Sequence, residues 1–190
     1  MRLETERLII RDWNLKSRGD VMGAFAMYSD PEVLRYFPTT RPVASMKEMR
    51  EVLRQRLEQN DTFPPGQGVW AVEEKSTRRI VGTALLKPML DNAGKLTNDI
   101  EVGWHLRRDA WGKGYATEFG RELLRYGFED LQIDPLYAFV LPENLPSIRV
   151  TQRLGMTPLG PTEKYYGVRA ELFRITREQW RSSAGKRAGS

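Results

Sequence analysis

The sequence predicts a single α+β domain. Apolar residues recur with the period of a strand in some segments and with the period of a helix in others. The two kinds of segment are interspersed, and no internal repeat or linker divides them. With 190 residues, 40% of them hydrophobic and 10% aromatic, the chain is long enough to enclose one core and too apolar to stay unfolded. We place the domain at residues 1–181 and expect the small, polar segment 182–190 to be a disordered tail.

The first third of the chain predicts one strand and two helices. Alternating charged and apolar residues favour a strand over residues 3–13, and apolar residues at helical spacing favour a helix over residues 16–28. An Asp-Pro pair follows, which is a turn signal and ends this helix. Ser45 and Glu48 have the spacing of a capping box, so a second helix begins there.

The rest of the chain predicts mainly strands. Residues 69–73 and 80–86 lie on either side of a polar turn, which favours a hairpin. A further turn over residues 91–97 leads into a strand that ends at Leu106. The elements expected after it are a helix carrying Phe119, Leu123, Leu124 and Phe128, a strand over 137–141, a short helix over 147–154 and a strand pair over 156–159 and 170–175.

The most informative stretch is residues 98–118, NDIEVGWHLRRDAWGKGYATE. Its first half alternates as a strand does, and its second half opens a helix. Between them stand Gly112 and Gly114, a residue type that costs about 1 kcal/mol against alanine inside a helix. Glycines leave the backbone free to curl and to point successive N–H groups at a ligand. Because the first N–H groups of a helix lack partners and carry partial positive charge, the stretch predicts a site for a phosphate or pyrophosphate.

Two nucleotide-binding signatures fit this turn poorly. The mononucleotide P-loop requires Ser or Thr after its Gly-Lys pair, and Gly114 occupies that place. The dinucleotide pattern requires Gly or Ala where Thr117 stands, and no strand-borne acid arrives at the expected distance. A lone G-x-G would be weak on its own, so the surrounding residues decide.

Four segments around the turn are more specific. They read Glu101-Val-Gly-Trp-His-Leu, then Trp111-Gly-Lys-Gly-Tyr-Ala-Thr-Glu118, then Asn144-Leu-Pro-Ser147-Ile-Arg149, and finally Leu154-Gly155-Met156. Together they resemble the GNAT acetyltransferases, in the branch of the ribosomal-protein N-terminal alanine and serine acetyltransferases. The resemblance extends from Thr5 to about residue 175. The family signature Q/R-x-x-G-x-G/A falls on residues 111–116, and Trp111 departs from it at the first position.

The resemblance implies a GNAT-like fold, which is a twisted mixed, mostly antiparallel sheet with helices on both faces and a splay between strands 4 and 5. Those strands would be residues 99–106 and 137–141. It also implies acetyl-CoA as cosubstrate, with no metal. N–H groups of the turn would hold the pyrophosphate, and the splayed strand would pair with the pantetheine arm and polarise the thioester oxygen. The cofactor-binding residues expected on this basis are Trp104, Leu106, Trp111, Gly112, Lys113, Gly114, Tyr115, Ala116, Thr117, Asn144 and Ser147.

Acetyl transfer to an amine requires a group that takes the proton of the amine. Glu101, on the central strand, is the candidate catalytic base, and a surface or structural carboxylate is the alternative interpretation. Asp99 shares its face of the strand, and His105 is the only imidazole of the chain. Glu163 lies on a loop that is expected to face the substrate, and a water relay would also serve.

The departing thiolate requires a hydrogen-bond donor. By resemblance Ser147 is the candidate catalytic acid, and Asn144 would bond the pantetheine amide. Either residue could instead cap the helix that begins there. Tyr165 and Tyr166 are alternative donors that packing explains equally well, and Arg149 would either meet a phosphate or remain a solvated charge.

The predicted function is transfer of an acetyl group from acetyl-CoA to a primary amine, by direct attack in a ternary complex. The amine is either a protein N-terminal α-amine or that of a small molecule. The alternatives are a non-catalytic acyl-CoA-binding sensor or regulatory module, and a nucleotide-binding domain of another fold. The amine would enter between the first two helices and the last strand pair, where the candidate lining residues, all of which packing also explains, are Tyr36, Phe37, Arg41, Trp70 and Tyr166.

Composition excludes several other classes. The absence of cysteine excludes disulfides, thiolate metal sites and a cysteine nucleophile, and a single histidine excludes a histidine-rich metal cluster. No apolar run has the length of a membrane span, and the N-terminus lacks a signal-peptide core, so we expect a cytoplasmic protein without a membrane partner. A net charge of +5 indicates solubility rather than direct reading of nucleic acid. Both a monomer and a homodimer fit the sequence.

Overall fold

The computed structural model describes residues 1–37 and 41–188. Its centre is an eight-stranded sheet in the order β1-β2-β3-β4-β5-β6-β8-β7. Every neighbouring pair is antiparallel except β5 and β6. The strands are β1 Arg2–Glu4, β2 Leu8–Arg11, β3 Gly68–Glu74, β4 Ile80–Leu90, β5 Leu96–Leu106, β6 Leu136–Val140, β7 Thr157–Thr162 and β8 Ala170–Ile175.

The described residues also form six α-helices. A short 3-10 turn, Arg108–Ala110, precedes the fourth helix, and a π-helical segment, Tyr126–Asp130, extends it. The helices are α1 Arg18–Tyr28, α2 Pro31–Leu34, α3 Met46–Asn60, α4 Tyr115–Arg125, α5 Leu145–Leu154 and α6 Arg177–Ala188.

The N-terminal segment differs from its prediction. We expected one strand over residues 3–13, whereas the chain turns back after β1, and β2 pairs with it antiparallel. The turn closes through Thr5, whose backbone N–H donates to the carbonyl of Leu8 at 2.9 Å. Glu118 of α4 fixes this turn from outside, accepting from the Thr5 hydroxyl at 2.5 Å and from the Arg7 N–H at 2.8 Å. Contacts from residues more than a hundred positions away therefore divide the strand.

The capping box that predicts α3 is present in a shifted form. Ser45 is the N-cap, and its hydroxyl accepts from the Glu48 N–H at 3.1 Å. The Glu48 carboxylate reaches back one residue further than the motif prescribes and accepts from the Ala44 N–H at 2.8 Å. Two N–H groups that the helix itself cannot satisfy are thereby paired, so the helix begins where the sequence places it.

Helices cover both faces of the sheet, as the resemblance implies. On one face, Phe119 and Leu123 of α4 and Val150 of α5 pack against Val102 of β5 in the larger core cluster. On the other face, side chains of α1 and α3 enclose a second cluster that includes Ile80 at the start of β4. Both clusters are nearly free of solvent, which makes the sheet a rigid partition between them.

The predicted splay is confirmed. Strands β5 and β6 pair only at Ile100 with Leu136 and at Glu101 with Tyr137. Beyond that point β6 stays with β8, whereas β5 continues to Leu106 beside β4. Residues 102–106 thus have backbone groups on one edge that no strand of the described sheet satisfies.

The last helix crosses the boundary that we placed after residue 181, since α6 runs to Ala188. The extent of the domain and the disorder of the tail stay predictions. Residues 189–190 lie outside the described part of the chain. None of the helices within the described ranges is long and apolar enough to span a membrane.

A buried ion pair joins α1 to the sheet. Asp20, whose side chain is 3% exposed, accepts from the Arg11 guanidinium at 2.7 and 2.9 Å and from the Asn14 N–H at 2.9 Å. Burial alone would raise the pKa of Asp20, but the hydrogen bonds from Arg11 and Asn14 outweigh burial and lower that pKa below its ordinary 3.8. Arg11 also pairs with Glu73 at 2.7 Å.

We expect Asp20→Asn to lower the free energy of unfolding by about 3 kcal/mol at neutral pH, because it removes one charge of a buried pair. A carboxyl group with a depressed pKa stabilises the fold above its unfolded pKa and ceases to do so as the pH falls through its folded pKa. The difference between wild type and variant in urea denaturation should therefore shrink below about pH 4. Exposed Glu58→Gln is the matched control, and a difference independent of pH would contradict the assignment.

Candidate active site

The glycine turn forms the centre of the site. Gly112 and Gly114 have φ angles of 74° and 79°, in the left-handed region that favours glycine. Gly114 is the N-cap of α4 and carries no side chain that could cap the helix. Within the described residues, no backbone or side-chain acceptor is recorded for the N–H groups of residues 112–117. A run of unsatisfied donors at a helix N-terminus is the arrangement that binds phosphate.

Side chains on both sides hold the turn in place. The Trp111 indole N–H donates to the carbonyl of Leu106 at 3.0 Å, which ties the turn to the end of β5. The Tyr115 hydroxyl donates to Glu74 of β3. The Arg7 guanidinium lies over the ring of Tyr115 at 4.7 Å and pairs with Glu118 at 2.7 Å. The N–H groups are thus presented by a fixed backbone rather than by a loose loop.

A cavity of about 910 Å³ extends from this turn along the splayed edge of β5. The structure brings together on its wall all eleven residues that the sequence assigns to cofactor binding. Their binding role stays a prediction, but their convergence from β5, the turn, α4 and α5 is a structural fact. The lining residues from that set are Trp104, Leu106, Trp111, Gly112, Lys113, Gly114, Tyr115, Ala116, Thr117, Asn144 and Ser147.

Positive charge surrounds the turn end of the cavity. Lys113, Arg149 and Arg153 are exposed residues that line the cavity. Arg7 and Arg121 also line the cavity, and sequence reasoning missed both. There is little signal for Arg7 in the sequence, because the side chain is held at the cavity by Glu118, which is 111 residues away in the chain. Such a concentration of cations attracts a polyanionic ligand.

Asn144 and Ser147 meet at the start of α5. Asn144 is the N-cap, and its side-chain oxygen accepts from the Ser147 N–H at 3.2 Å. Asn144 therefore caps the helix, as the alternative interpretation predicted. This contact uses the Ser147 N–H and not the Ser147 hydroxyl. That hydroxyl accepts from the indole N–H of Trp104 at 3.0 Å, across the splay.

His105 also lines the cavity. Its Nδ1 is hydrogen-bonded to the Tyr28 hydroxyl at 2.9 Å, and its ring packs on Phe37 at 4.4 Å between centroids. Burial, with smaller contributions from the positive charges of Arg56 and Lys87, lowers the pKa of His105 to about 3. The imidazole is therefore neutral throughout the physiological range and accepts a proton poorly.

Glu101 forms an ion pair that the sequence did not predict. Its carboxylate lies 2.7 Å from the Lys87 Nζ, and the two side chains are only 12% and 14% exposed. Lys87 also donates to the Tyr166 hydroxyl at 3.0 Å. Burial, with the nearby charge of Glu101, raises the pKa of Tyr166. Lys87 is the register partner of Glu101, and a lone charge within the apolar strand β4 was the signal that could have found it. Neither Glu101 nor Lys87 is among the residues that line the cavity.

The other candidate acids and bases are held elsewhere. Asp99 accepts from Lys164 at 2.7 Å and from the Tyr165 hydroxyl at 2.6 Å. Burial opposes ionisation of Asp99, but those two hydrogen bonds outweigh it and lower the pKa. Glu163 is exposed, and its backbone carbonyl accepts from Asn92 at 2.8 Å. None of these five residues lines the cavity.

Two of the five proposed substrate-lining residues do line the cavity, namely Tyr36 and Phe37. Trp70 instead belongs to the core cluster on the α4 face, where it packs edge-on against Tyr126. Arg41 pairs with Glu48 at 2.6 Å. Residues 38–40 lie outside the described part of the chain.

Comparison with known proteins identifies the family. A family model described as an acetyltransferase (GNAT) domain matches residues 7–157. The chain belongs to the GNAT acetyltransferase family. It is 31% identical over 174 residues to p20 of Bacillus licheniformis, named as an uncharacterized N-acetyltransferase, and the match covers 91% of this chain and 92% of the relative. It is also 29% identical over 161 residues to an FsC-acetyl coenzyme A-N(2)-transacetylase of Aspergillus fumigatus, covering 80% of this chain and 67% of the relative.

Solved structures of GNAT acetyltransferases have the same fold. A GNAT-family acetyltransferase of Bacillus anthracis superposes with a TM-score of 0.74 at 24% identity, over 94% of this chain and 99% of that one. A ribosomal-protein-S5-alanine acetyltransferase of Vibrio fischeri superposes with a TM-score of 0.72 at 16% identity, over 95% and 98% of the two chains. At these identities the likeness establishes the fold and not the substrate.

Because the chain has a single histidine, the protonation state of His105 can be measured by NMR without resonance assignment. We expect its imidazole nitrogens to show no titration between pH 5 and pH 8 in long-range ¹⁵N–¹H NMR spectra, since burial lowers the pKa to about 3. A midpoint near the ordinary value of about 6.5 would contradict the burial of the ring and restore His105 as a candidate base.

Proposed function

We propose that this chain transfers an acetyl group from acetyl-CoA to a primary amine, by direct attack in a ternary complex. The observation that carries the proposal is the run of unsatisfied N–H groups at residues 112–117, which opens on a cavity along an unpaired strand edge. A ligand that combines a pyrophosphate with an extended amide-bearing arm and a thioester fits all parts of this arrangement. The name of the Aspergillus fumigatus relative supports coenzyme A as the carrier.

Each part of the ligand finds a matching surface. The N–H groups of the turn and the positive side chains around it suit the pyrophosphate. The free edge of residues 102–106 offers backbone donors and acceptors to the amides of the pantetheine arm, as a neighbouring strand would. A backbone N–H on this edge would polarise the thioester carbonyl, because it is a fixed donor in a site with restricted water.

In this proposal the amine nitrogen forms a bond to the carbonyl carbon, and the carbon–sulfur bond breaks with its electron pair on sulfur. We assign the proton of the amine to Glu101, received through water, since Glu101 does not line the cavity itself. The Glu101 carboxylate lies 2.7 Å from the Lys87 Nζ, so the base proposed here is also one half of an ion pair. His105 is closer to the cavity, but its low pKa makes it the poorer acceptor.

We assign the hydrogen bond to the departing sulfur to Ser147. Its hydroxyl lies on the cavity wall, and its N–H is already bonded to Asn144. Neither Tyr165 nor Tyr166 lines the cavity, and both hydroxyls already have partners. A thiolate is a weak base, with a thiol pKa of about 8.5, so a hydrogen bond can suffice for its departure.

The acceptor end of the cavity suits an amine next to an apolar group. Val33, Tyr36 and Phe37 line it together with the neutral ring of His105. Both classes of amine from the sequence analysis remain compatible, namely a protein N-terminal α-amine and the amine of a small molecule. The ribosomal-protein acetyltransferase among the structural neighbours supports the first class through fold alone.

One observation favours the non-catalytic acyl-CoA-binding module as a second candidate. Glu101 is ion-paired and away from the cavity wall, and a sensor needs no base. The two functions differ in turnover, so thiol release from acetyl-CoA across a panel of peptides and small amines separates them. Binding of acetyl-CoA without thiol release on any amine would support the module and contradict the enzyme.

We expect Gly114→Val to weaken acetyl-CoA binding at least about 10-fold in isothermal titration calorimetry. A branched side chain is strained at a φ of +79° and would intrude among the N–H donors. Gly94→Val is the matched control, since Gly94 has a φ of +77° with open space around it and does not line the cavity. Equal affinities in the two variants would refute the assignment of the turn.

Glu101→Gln should lower kcat by about 100-fold at pH 7, the lower end of the range for loss of a general base. The deficit should decrease toward pH 10, where more of the amine is already deprotonated. Rates of thiol release over this pH range test the expectation, with exposed Glu58→Gln as control. A deficit of equal size at every pH would instead indicate that Glu101 is structural.

A further inference from the structure

The hydrogen bond from Trp104 to Ser147 links the two walls of the splay. Trp104 lies on β5 beyond the last residue that pairs with β6, and Ser147 lies in the first turn of α5. The indole N–H donates to the Ser147 Oγ at 3.0 Å. Both residues line the 910 Å³ cavity, so this contact lies inside the site and not behind it.

The chemistry of the two groups fixes the direction of this hydrogen bond. An indole N–H is a donor only, so the Ser147 oxygen accepts, and the serine proton must point elsewhere. The Ser147 N–H is bonded to Asn144 at 3.2 Å. Among the described residues, no acceptor is recorded for the Ser147 hydroxyl proton. The proton is therefore left to donate toward whatever ligand occupies the cavity.

We propose that Trp104 is a positioning residue for acetyl transfer, which holds and polarises the Ser147 hydroxyl so that it donates a hydrogen bond to the departing thiolate. This inference rests on the proposed function. Hydrogen bonds in a chain strengthen one another, so accepting from the indole makes the serine a better donor. The sulfur keeps the electron pair of the broken bond, and the serine keeps its proton. No step that restores the proton of Ser147 is then required.

Packing alone does not explain this contact. Trp104 is only partly buried at the margin of the larger core cluster, next to the cavity. A phenylalanine would fill the same apolar place, whereas only the indole supplies the N–H. The Trp104 backbone belongs to the strand edge that we assign to the pantetheine arm, so the residue would serve the reaction through both its backbone and its side chain.

The test is a double-mutant cycle of Trp104→Phe and Ser147→Ala, read as the single-turnover rate of acetyl transfer. We expect Trp104→Phe alone to slow that rate about 3- to 10-fold, the effect of one neutral hydrogen bond. The same change in the Ser147→Ala background should have no further effect, because its partner is gone. The Kd for acetyl-CoA is measured for every variant, and a rate loss that disappears at saturating acetyl-CoA would contradict a positioning role. Trp180→Phe, outside the cavity, is the control.

Additive losses in the cycle, or a wild-type rate in Trp104→Phe, would overturn the inference while leaving the acetyltransferase assignment intact. Failure of the proposed function is distinct, since the wild-type protein would then release no thiol from acetyl-CoA. Thermal melting of each variant establishes that it is folded. If Trp104→Phe is poorly folded, Trp104→Leu gives the same comparison, because leucine is also apolar and has no side-chain N–H or O–H.

Discussion

The site depends on the break in pairing between β5 and β6. After Glu101 and Tyr137 the two strands separate, and the backbone of residues 102–106 is left with an unsatisfied edge. A strand edge inside a domain is a liability unless something covers it. Here the edge leads directly into the glycine turn, where residues 112–117 present unsatisfied N–H groups. One continuous stretch of backbone thus offers first an unpaired strand edge, which can hydrogen-bond an extended ligand, and then an anion-binding site.

Strand β5 can keep an unpaired edge because its two faces have different roles. Val102 and Trp104 point to the cluster formed with α4 and α5, which anchors the strand on one face of the sheet. Glu101 and His105 point to the other face, where they meet Lys87 and Tyr28. The pleat separates core packing from polar chemistry at each residue. Rigid anchoring of one face is what allows the opposite face and the edge to stay precisely placed without pairing.

Local signals in the sequence predicted local features well. The glycines of the turn, the capping box at Ser45 and the alternation of β5 each specify backbone conformation within a few residues, and the structure contains them. The failures are non-local. No residue near Glu101 in the sequence indicates that Lys87 lies opposite it. That pairing is set by the register between β4 and β5. We predicted the splay from the family resemblance alone, because hydrophobic periodicity does not show where two neighbouring strands stop pairing.

The electrostatics around His105 bear on our proposal that Glu101 is the base although it is ion-paired. Arg56 and Lys87, together with burial, make protonation of His105 unfavourable. An amine that enters beside His105 experiences the same two effects, and both disfavour the ammonium form. The site would then supply part of the driving force for deprotonation. A weak proton acceptor such as Glu101, reached through water, would have to supply less of it. Positive charges near the proposed amine site would be unfavourable for binding a cation, but they fit our proposal that the amine reacts in its uncharged form.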